Sequence, residues 1–513
     1  MQEISETQLA ASLAANRPPR ANVVANWGGA GWVNETSRID EIHVTLEASD
    51  AMQGVSALGK AIADTVEIKF KNVDKRFSPW YSSSPLYSYL ADGAWDGTPI
   101  SVQLGYQKAD TTAEYVYVLN GIIADLQPDV GRQSIKIKCL DNFGRFADYR
   151  TKTALFENIG ITDFAEQLRL TLPAAIRPSQ VTAGFDPSCH SLRFAWCDDE
   201  SLVEELSKLA EAEGGRVYFD GNGKMMFENA MHLAAHPHSS SVATFTVDSF
   251  ASLQAEYHWR DKARRIQVFY TEPLLCRTEA IWSLPEARAL PANATTIIRA
   301  QFNTAAKNVI TPSASSDYFV RSHAGLDKTS DVNITMTTWA QQAVLEVENT
   351  LAYEIVLDRM QLRGQPVKFT DEESVSLVVD SAGAVKREDV DSITLGQAGK
   401  KPFEVKGNWF IQSPEHALSL GYLYAYRLRK PRMKLHLTNL RGMPWLEPGD
   451  RVTVTERGST SMLDFYIHTI DLYLRGALTM DLTLLGATGM FASDTYFRLT
   501  EADELAGGRV FFL

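Results

Sequence analysis

Alternation of apolar and polar residues with a period of two runs through most of the chain. Val66, Ile68 and Phe70 interleave with Glu67, Lys69 and Lys71; Ile135, Ile137 and Cys139 with Lys136 and Lys138; Leu478, Met480, Leu482 and Leu484 with Thr479, Asp481 and Thr483. Successive side chains of a strand point to opposite faces, so each run predicts a strand with one buried and one wet face. Many such runs between Gly, Pro and Asp turns predict a mainly β protein of barrels or sandwiches. Helical patterns are few. In DDESLVEELSKLAEAEGG, Ser201 and Glu204 form a capping box, Leu202, Leu206 and Leu209 share a face, and Gly214 and Gly215 end the helix. RVYFDGNGKMMFEN follows as a hairpin turning at Asp220 to Gly223. A second helix is predicted from Ser413 and Pro414 through Leu418, Leu423 and Tyr424 to Arg429, Lys430 and Pro431, and a shorter one from Thr162 over Phe164 to Leu170.

These changes of period divide the chain. Residues 20–150 read as a first β-barrel, 151–255 as a mixed α/β domain of helix and hairpin, and 256–290 as strands of a second barrel. Residues 291–400 read as an inserted β-rich domain whose polar start, Asn293 to Asp331, is expected to be rich in loops. The stretch 401–488 supplies a helix and four or five closing strands of the second barrel, and 489–513 is a C-terminal tail. GIIADLQPDVGRQSIKIKCL near Gly121 and YIHTIDLYLRGALTMDLTLL near Tyr466 share an Ile/Asp/Leu strand, a turn and an alternating strand. This echo, aligned on Ile123 and Ile470, suggests duplication.

Length and charge narrow the function classes. At roughly 150 residues per domain, 513 residues make three or four domains. With 45% hydrophobic and 22% charged residues, the chain has enough apolar side chain to fold. Its formal charge of −13 has the wrong sign for a protein that grips nucleic acid by neutralising phosphates. Cys139, Cys189, Cys197 and Cys276 are too scattered for a disulfide scaffold and fit no common zinc spacing; they are expected to be reduced and buried. The first residues lack a basic segment followed by an apolar one, so folding in a cytoplasm is expected, and no window approaches the 18 apolar residues of a membrane-spanning helix. The sequons at Asn34, Asn293 and Asn333 are read as chance matches.

Motifs that could carry chemistry each have a simpler structural explanation. Gly54 to Ala61 matches a phosphate-binding loop until Ala61 takes the place of the magnesium-binding Ser or Thr, and the residues from Ile62 to Lys71 alternate as a strand instead of opening a helix. Gly28, Gly29 and Gly31 read as a loop tip. His232, His236 and His238 have spacing that zinc could use, but the last two flank Pro237 and lead into serines. Asp220 and Asn222 begin like a calcium loop, yet Met231 stands where its glutamate belongs. Asp198 and Asp199 precede a helix, where negative charge complements the helix N-terminus. No catalytic residue, metal site or cofactor is assigned.

Longer stretches resemble tail proteins of long-tailed bacteriophages. Leu58 to Thr65, the strand VEIKFKN, and VDKRFSPWYSSSPLYSYLADGAWDGTPISVQLGY resemble the first domain of that family in Asn72, Arg76-Phe77-Ser78-Pro79, Ser84-Pro85-Leu86-Tyr87 and a late Gly before a strand leading to Gly105. GIIADLQPDVGRQSIKIKCLDNFGRFAD, LVEELSKLAEAEGGRVYFDGNGKMMFEN, MQLRGQPV and the stretch 390–396 follow in the family's order. NWFIQSPEHALSLGYLYAYRLRKPRMKLHLTNLRGMPWLEPGDRVTV is similar to its last helix and closing strands, with Gly449-Asp450 in a turn.

The resemblance implies a structural, non-enzymatic virion protein: a homotrimeric hub of a tail tip or baseplate, whose related β-barrels from three chains continue the tail tube. Its implied partners are further copies of itself, tail-tube and distal tail proteins, and tip or fibre proteins, with DNA passing through unbound. Its implied place is the virion tail, after assembly in the host cytoplasm. A ring of three chains carries three times −13, or −39, so a neutral to acidic inner wall is expected, which would not hold the genome. No long C-terminal fibre, peptidase or lysozyme-like extension is evident. The alternative is a virion-associated envelope hydrolase or glycan-binding module, motivated by ten tryptophans and the β-rich pattern.

Overall fold

The computed structural model describes residues 2, 4–14, 18–29, 31–48, 63–174, 177, 184–232, 240–257, 263–379, 385–387, 403–428, 433–455 and 462–486. It is mainly β and multidomain, and its largest element is a sheet of thirteen strands. Twelve of these form two sets. The first contains β1 (Pro19–Ala25), β2 (Ile39–Glu47), β3 (Thr65–Lys71), β4 (Pro99–Gln107), β5 (Ala113–Asp129) and β6 (Ser134–Leu140). The second contains β7 (Ala243–Phe245), β8 (Ser252–Tyr257), β9 (Met433–Arg441), β10 (Arg451–Thr455), β11 (Met462–Arg475) and β12 (Ala477–Gly486). The thirteenth, Val33–Asn34, pairs with the end of β1.

The two sets have one strand order. In space the first runs β2-β3-β6-β5-β4-β1 and the second β8-β9-β12-β11-β10-β7. Counted within each set, both read second, third, sixth, fifth, fourth, first. Neighbours are antiparallel throughout, except that β7 lies parallel to β10 while β1 lies antiparallel to β4.

The likeness extends to single residues. The register of β5 on β6 shifts between Ile123 and Asp125, and that of β11 on β12 between Ile467 and Thr469. Each shift is a bulge, which bends and twists its strand. Each bulge is held by the same pair of backbone bonds: Gly97 donates to Ile123 O at 3.0 Å and Ile123 to Thr98 O at 2.9 Å, while Gly449 donates to Ile467 O at 2.8 Å and Ile467 to Asp450 O at 2.9 Å. Both glycines have positive φ, 73° and 97°, which a side chain would strain. The two sets thus correspond at Ile123 and Ile467, three residues before the Ile470 on which the sequence echo is aligned.

Strand β2 also pairs with β11 and joins the sets edge to edge. One hydrophobic core runs through both, with Val44, Ile68 and Ile137 from the first set and Leu437, Ile470 and Leu482 from the second. The apolar residues of the three period-two runs all belong to it, joined by Trp27, Phe77, Leu86, Leu90, Trp445 and Leu446 from turns and short helices.

The remaining elements are insertions. Between the sets lie helices Ile161–Thr171 and Leu202–Glu213 and the hairpin Arg216–Phe219 with Met225–Glu228. Ser201 accepts from the Glu204 amide and Gly214 ends the second helix in the left-handed conformation, as its sequence predicts. Between β8 and β9, a four-stranded sheet (Val385–Arg387, Glu373–Val379, Arg265–Tyr270, Phe403–Val405) shares a core with helix Pro414–Leu428. The long strand Ile355–Phe369 and a three-stranded sheet form a further β-domain with its own core.

Three expectations change. The strands of 265–290 pair with Glu373–Val379, Phe403–Val405 and Ile355–Phe369 and lie outside the thirteen-stranded sheet; Ala243–Phe245 and Ser252–Tyr257 supply the second set's first strands. The polar segment from Asn293 holds the strands Thr295–Gln301, Ala306–Ile310 and Tyr318–Ser322. Cys139 and Cys197 are buried, but Cys189 and Cys276 are half-buried; all four are free thiols. The tail 489–513 lies outside the described residues.

Candidate assembly interface

The joint between the sets shows what this sheet does at its edges. Ile42, Val44 and Leu46 of β2 lie opposite Leu474, Leu472 and Ile470 of β11, apolar against apolar on the core face. On the other face His43 and Thr45 oppose Tyr473 and Asp471. His43 Nε2 is 3.0 Å from Asp471 Oδ1, Thr45 Oγ1 donates to that oxygen at 2.7 Å, and the His43 ring stacks on Tyr473 at 4.5 Å. Arg475 and Glu41 close the end of the joint with an ion pair.

A second junction holds the helix-and-hairpin module on both sets. The Asp220 to Gly223 turn seats on β5. A Cβ at Gly221 would lie 2.0 Å from Tyr117 O, and the Asn120 side chain donates to Asn222 O at 3.0 Å. Asp220, which begins like a calcium loop in sequence, accepts the Lys224 amide at 2.8 Å as an ordinary turn residue. From the hairpin's strands, Arg216 pairs with Glu228 and donates to Pro448 O at 2.8 Å, reaching the turn before β10. Tyr218 OH donates to Glu228 at 2.6 Å. Burial works to raise the Glu228 pKa, but the charge and bond of Arg216 hold it below the usual carboxylate range.

His232 joins this network, with Nδ1 2.8 Å from Asp186 and Nε2 3.2 Å from Glu228. Burial opposes its charge, yet its acidic partners raise its pKa above the ordinary histidine value. It thus serves an ion-pair network, while His236 and His238 lie outside the described residues, as does Gly54 to Ala61. Among the described residues no group of His, Cys, Asp and Glu has metal-site geometry. Asp198 and Asp199 belong to a strand paired with Arg150–Lys152. Asp198 pairs with Lys152 at 2.9 Å, and Glu204 and Glu205 are the acids in the helix's first turn.

Beside the junction is a cavity of about 30 Å³, lined by Asp64, Tyr117, Arg216, Tyr218 and Glu447 among others, with room for about one water. Asp64 is half-buried beside the buried Asp141. Burial raises both carboxyls, although the Asp64 amide donates to Asp141 at 3.2 Å and the Phe143 amide at 2.8 Å. Of the tryptophans, Trp27, Trp196 and Trp445 are buried in cores, Trp32 and Trp80 are exposed, and Trp259 lies outside the described residues.

Sequence reasoning missed the β2–β11 joint and the Arg216–Glu228 pair. The only signals were alternation, Gly221 and Gly449.

No family model matches the chain, and no curated protein matches it. Among solved structures, the chain is similar to a tail protein from Neisseria meningitidis MC58, at 10% identity and a TM-score of 0.45 over 91% of this chain and 97% of the other. A 43 kDa tail protein of prophage MuSo2 from Shewanella oneidensis matches at 10% identity and a TM-score of 0.45, over 91% and 99% of the chains. A type VI secretion component from E. coli, described as similar to phage T4 tail proteins, matches at 8% identity and a TM-score of 0.35, over 88% and 75%. No helix among the described residues is long and apolar enough to cross a membrane.

Proposed function

We propose that this chain is a structural virion protein, the homotrimeric hub of a phage tail tip or baseplate, which joins the tail tube to distal tip proteins and encloses the path of the genome. The observation that carries the reading is the pair of six-stranded sets with one order, one bulge position and an edge-to-edge joint. A chain that carries two similar units side by side needs three copies to surround an axis with six. The ordered sequence resemblance to phage tail proteins supports the same reading. Its partners are then two further copies, tail-tube proteins and tip or fibre proteins, in the virion tail after assembly in the host cytoplasm. Its role is non-enzymatic, and DNA passes a wall that is neutral to acidic.

The test is mass by light scattering of the purified chain, alone and with tube or tip proteins. A particle of three chains is expected. A chain that stays monomeric and joins neither partner overturns the reading, and reproducible release of fragments from peptidoglycan or capsule at enzyme-like rates would overturn its non-enzymatic part.

A further inference from the structure

We propose that β8 of one copy pairs antiparallel with the second half of β5 of a neighbouring copy, so that the joint made by β2 and β11 within a chain is repeated between chains. The inference deepens the hub reading by naming the contact that closes the ring, and it rests on that reading.

The counterparts follow from the pairings. Ile123 corresponds to Ile467, so Leu126, Pro128 and Val130 stand where Ile470, Leu472 and Leu474 stand in β11. Through β6 and β12, Val66 and Ile68 correspond to Leu435 and Leu437. Through β3 and β9, Ile42, Val44 and Leu46 then correspond to Leu253, Ala255 and Tyr257. Within the chain the first three of these face Leu474, Leu472 and Ile470. Between chains, Leu253, Ala255 and Tyr257 therefore face Val130, Pro128 and Leu126, while Gln254 and Glu256 face Asp129 and Gln127.

Both edges are open and their chemistry matches. Among the described strands, β8 pairs only with β9, and β5 beyond Ile122 pairs only with β6. Ser252, Gln254, Ala255, Gln127 and Asp129 are exposed, and Val130 is 70% exposed. Leu253 and Leu126 already pack on the core, so the apolar positions of both strands continue one core face. The polar pairs put an amide beside a carboxylate twice and set no like charges opposite each other.

Pro128 limits the joint. Ala48 donates to His468 O at 2.8 Å, so alternation turns the backbones of Ile470, Leu472 and Leu474 toward β2. Pro128 takes the place of Leu472 and has no N–H to give, so the joint between chains has one hydrogen bond fewer than the joint within one. A proline on an open edge also discourages indiscriminate strand addition. The pairing is head to tail, which closes into a ring or extends as a filament according to its rotation.

The test is a full-length chain carrying Gln254→Cys and Asp129→Cys under mild oxidation. Opposed residues of an antiparallel pair have Cα atoms about 4.5–5.5 Å apart, inside the range a disulfide spans. Covalent multimers are expected at least about tenfold faster than with the shifted pair Gln254→Cys and Gln133→Cys. Multimers seen by light scattering in which the first pair stays reduced, or links no faster than the shifted pair, overturn the pairing and leave the hub reading standing. A chain monomeric at all concentrations overturns both.

Discussion

Glu228→Ala should be among the most damaging single substitutions in the junction, because it takes away the carboxylate to which the buried Arg216 guanidinium is bonded. Arg216 is 7% and Glu228 3% exposed. After the substitution the guanidinium keeps its bond to Pro448 O and its place 4.6 Å over the Tyr218 ring, and neither carries a negative charge. Breaking a buried ion pair by removing one partner costs about 3–5 kcal/mol. Part of this cost is the Tyr218 hydroxyl, whose bond to Glu228 is also lost. The double variant Arg216→Met with Glu228→Leu removes both charges and should fall within about 2 kcal/mol of wild type, since a well-packed apolar pair commonly replaces an ion pair at little cost. Urea unfolding followed by tryptophan fluorescence reads the difference, and hydrogen exchange at 216–228 locates it, because Arg216 is also the tie to the β10 turn. Glu228→Ala within about 1 kcal/mol of wild type, or a double variant that loses as much as the two singles together, would refute the reasoning.

Asp141→Asn should remove one source of pH dependence. Burial raises the Asp141 carboxyl to about 7, so over the range from about 4 to about 7 the folded chain holds more protons than the unfolded chain and loses stability as pH rises. The stability of Asp141→Asn relative to wild type should therefore improve from pH 4 to 7 in urea unfolding; a constant difference would contradict this. Gly449→Ala should cost more than Gly97→Ala, although both glycines have positive φ, because a Cβ at Gly449 would lie 2.6 Å from the Arg216 guanidinium while one at Gly97 meets nothing within 4 Å. Strain alone is about 1–3 kcal/mol in each, so equal shifts in unfolding midpoint would show that Arg216 moves aside freely. In the assembled protein, retardation of double-stranded DNA at low salt should be absent; tight binding that weakens steeply with salt would show a basic wall.

Local features were legible in the sequence, and long-range pairings were not. Ser201, Glu204 and Gly214 act within one helix, so their spacing alone locates it. The alternating runs located the strand-borne part of the core, because a strand needs only its own period to show a buried face, whereas Trp27, Phe77, Leu90 and Trp445 enter it from turns and short helices. Which strands meet is set by residues hundreds of positions apart: β2 meets β11, and β8 meets β9 across residues 258–432. Thr295–Gln301 does not stand out as a strand within the polar segment, because its outward positions Thr295, Ile297, Arg299 and Gln301 include an isoleucine and its buried ones are only Ile298 and Ala300. The same reasoning explains the sites: Asp220 and His232 were visible as chemically capable residues, but their partners Lys224, Asp186 and Glu228 become apparent only once the hairpin is folded.

The displaced echo shows what the two sets have in common. Matching Ile123 with Ile470 aligns side chains, whereas the backbone aligns Ile123 with Ile467, where a glycine at positive φ grips a bulge in both sets. The bulge residues themselves differ, Ala124 in one and His468 in the other, so side-chain identity at that place carries little of the constraint. What both sets need is a strand that bends at one point, leaving its first half to pair with β4 or β10 and its second half to offer a new edge. In β11 that edge is occupied by β2; in β5 no described strand occupies it, and it carries Pro128. The connection between the second and third strands of each set is the place that tolerates growth. It spans residues 48–64 in the first set and 258–432 in the second, and because closure entropy rises only with the logarithm of loop length, whole domains can be inserted there without dissolving the pair that flanks them. A fold of this kind keeps its sheet geometry through backbone devices and varies its inserted domains, so two sets can share a strand order that their side chains do not display.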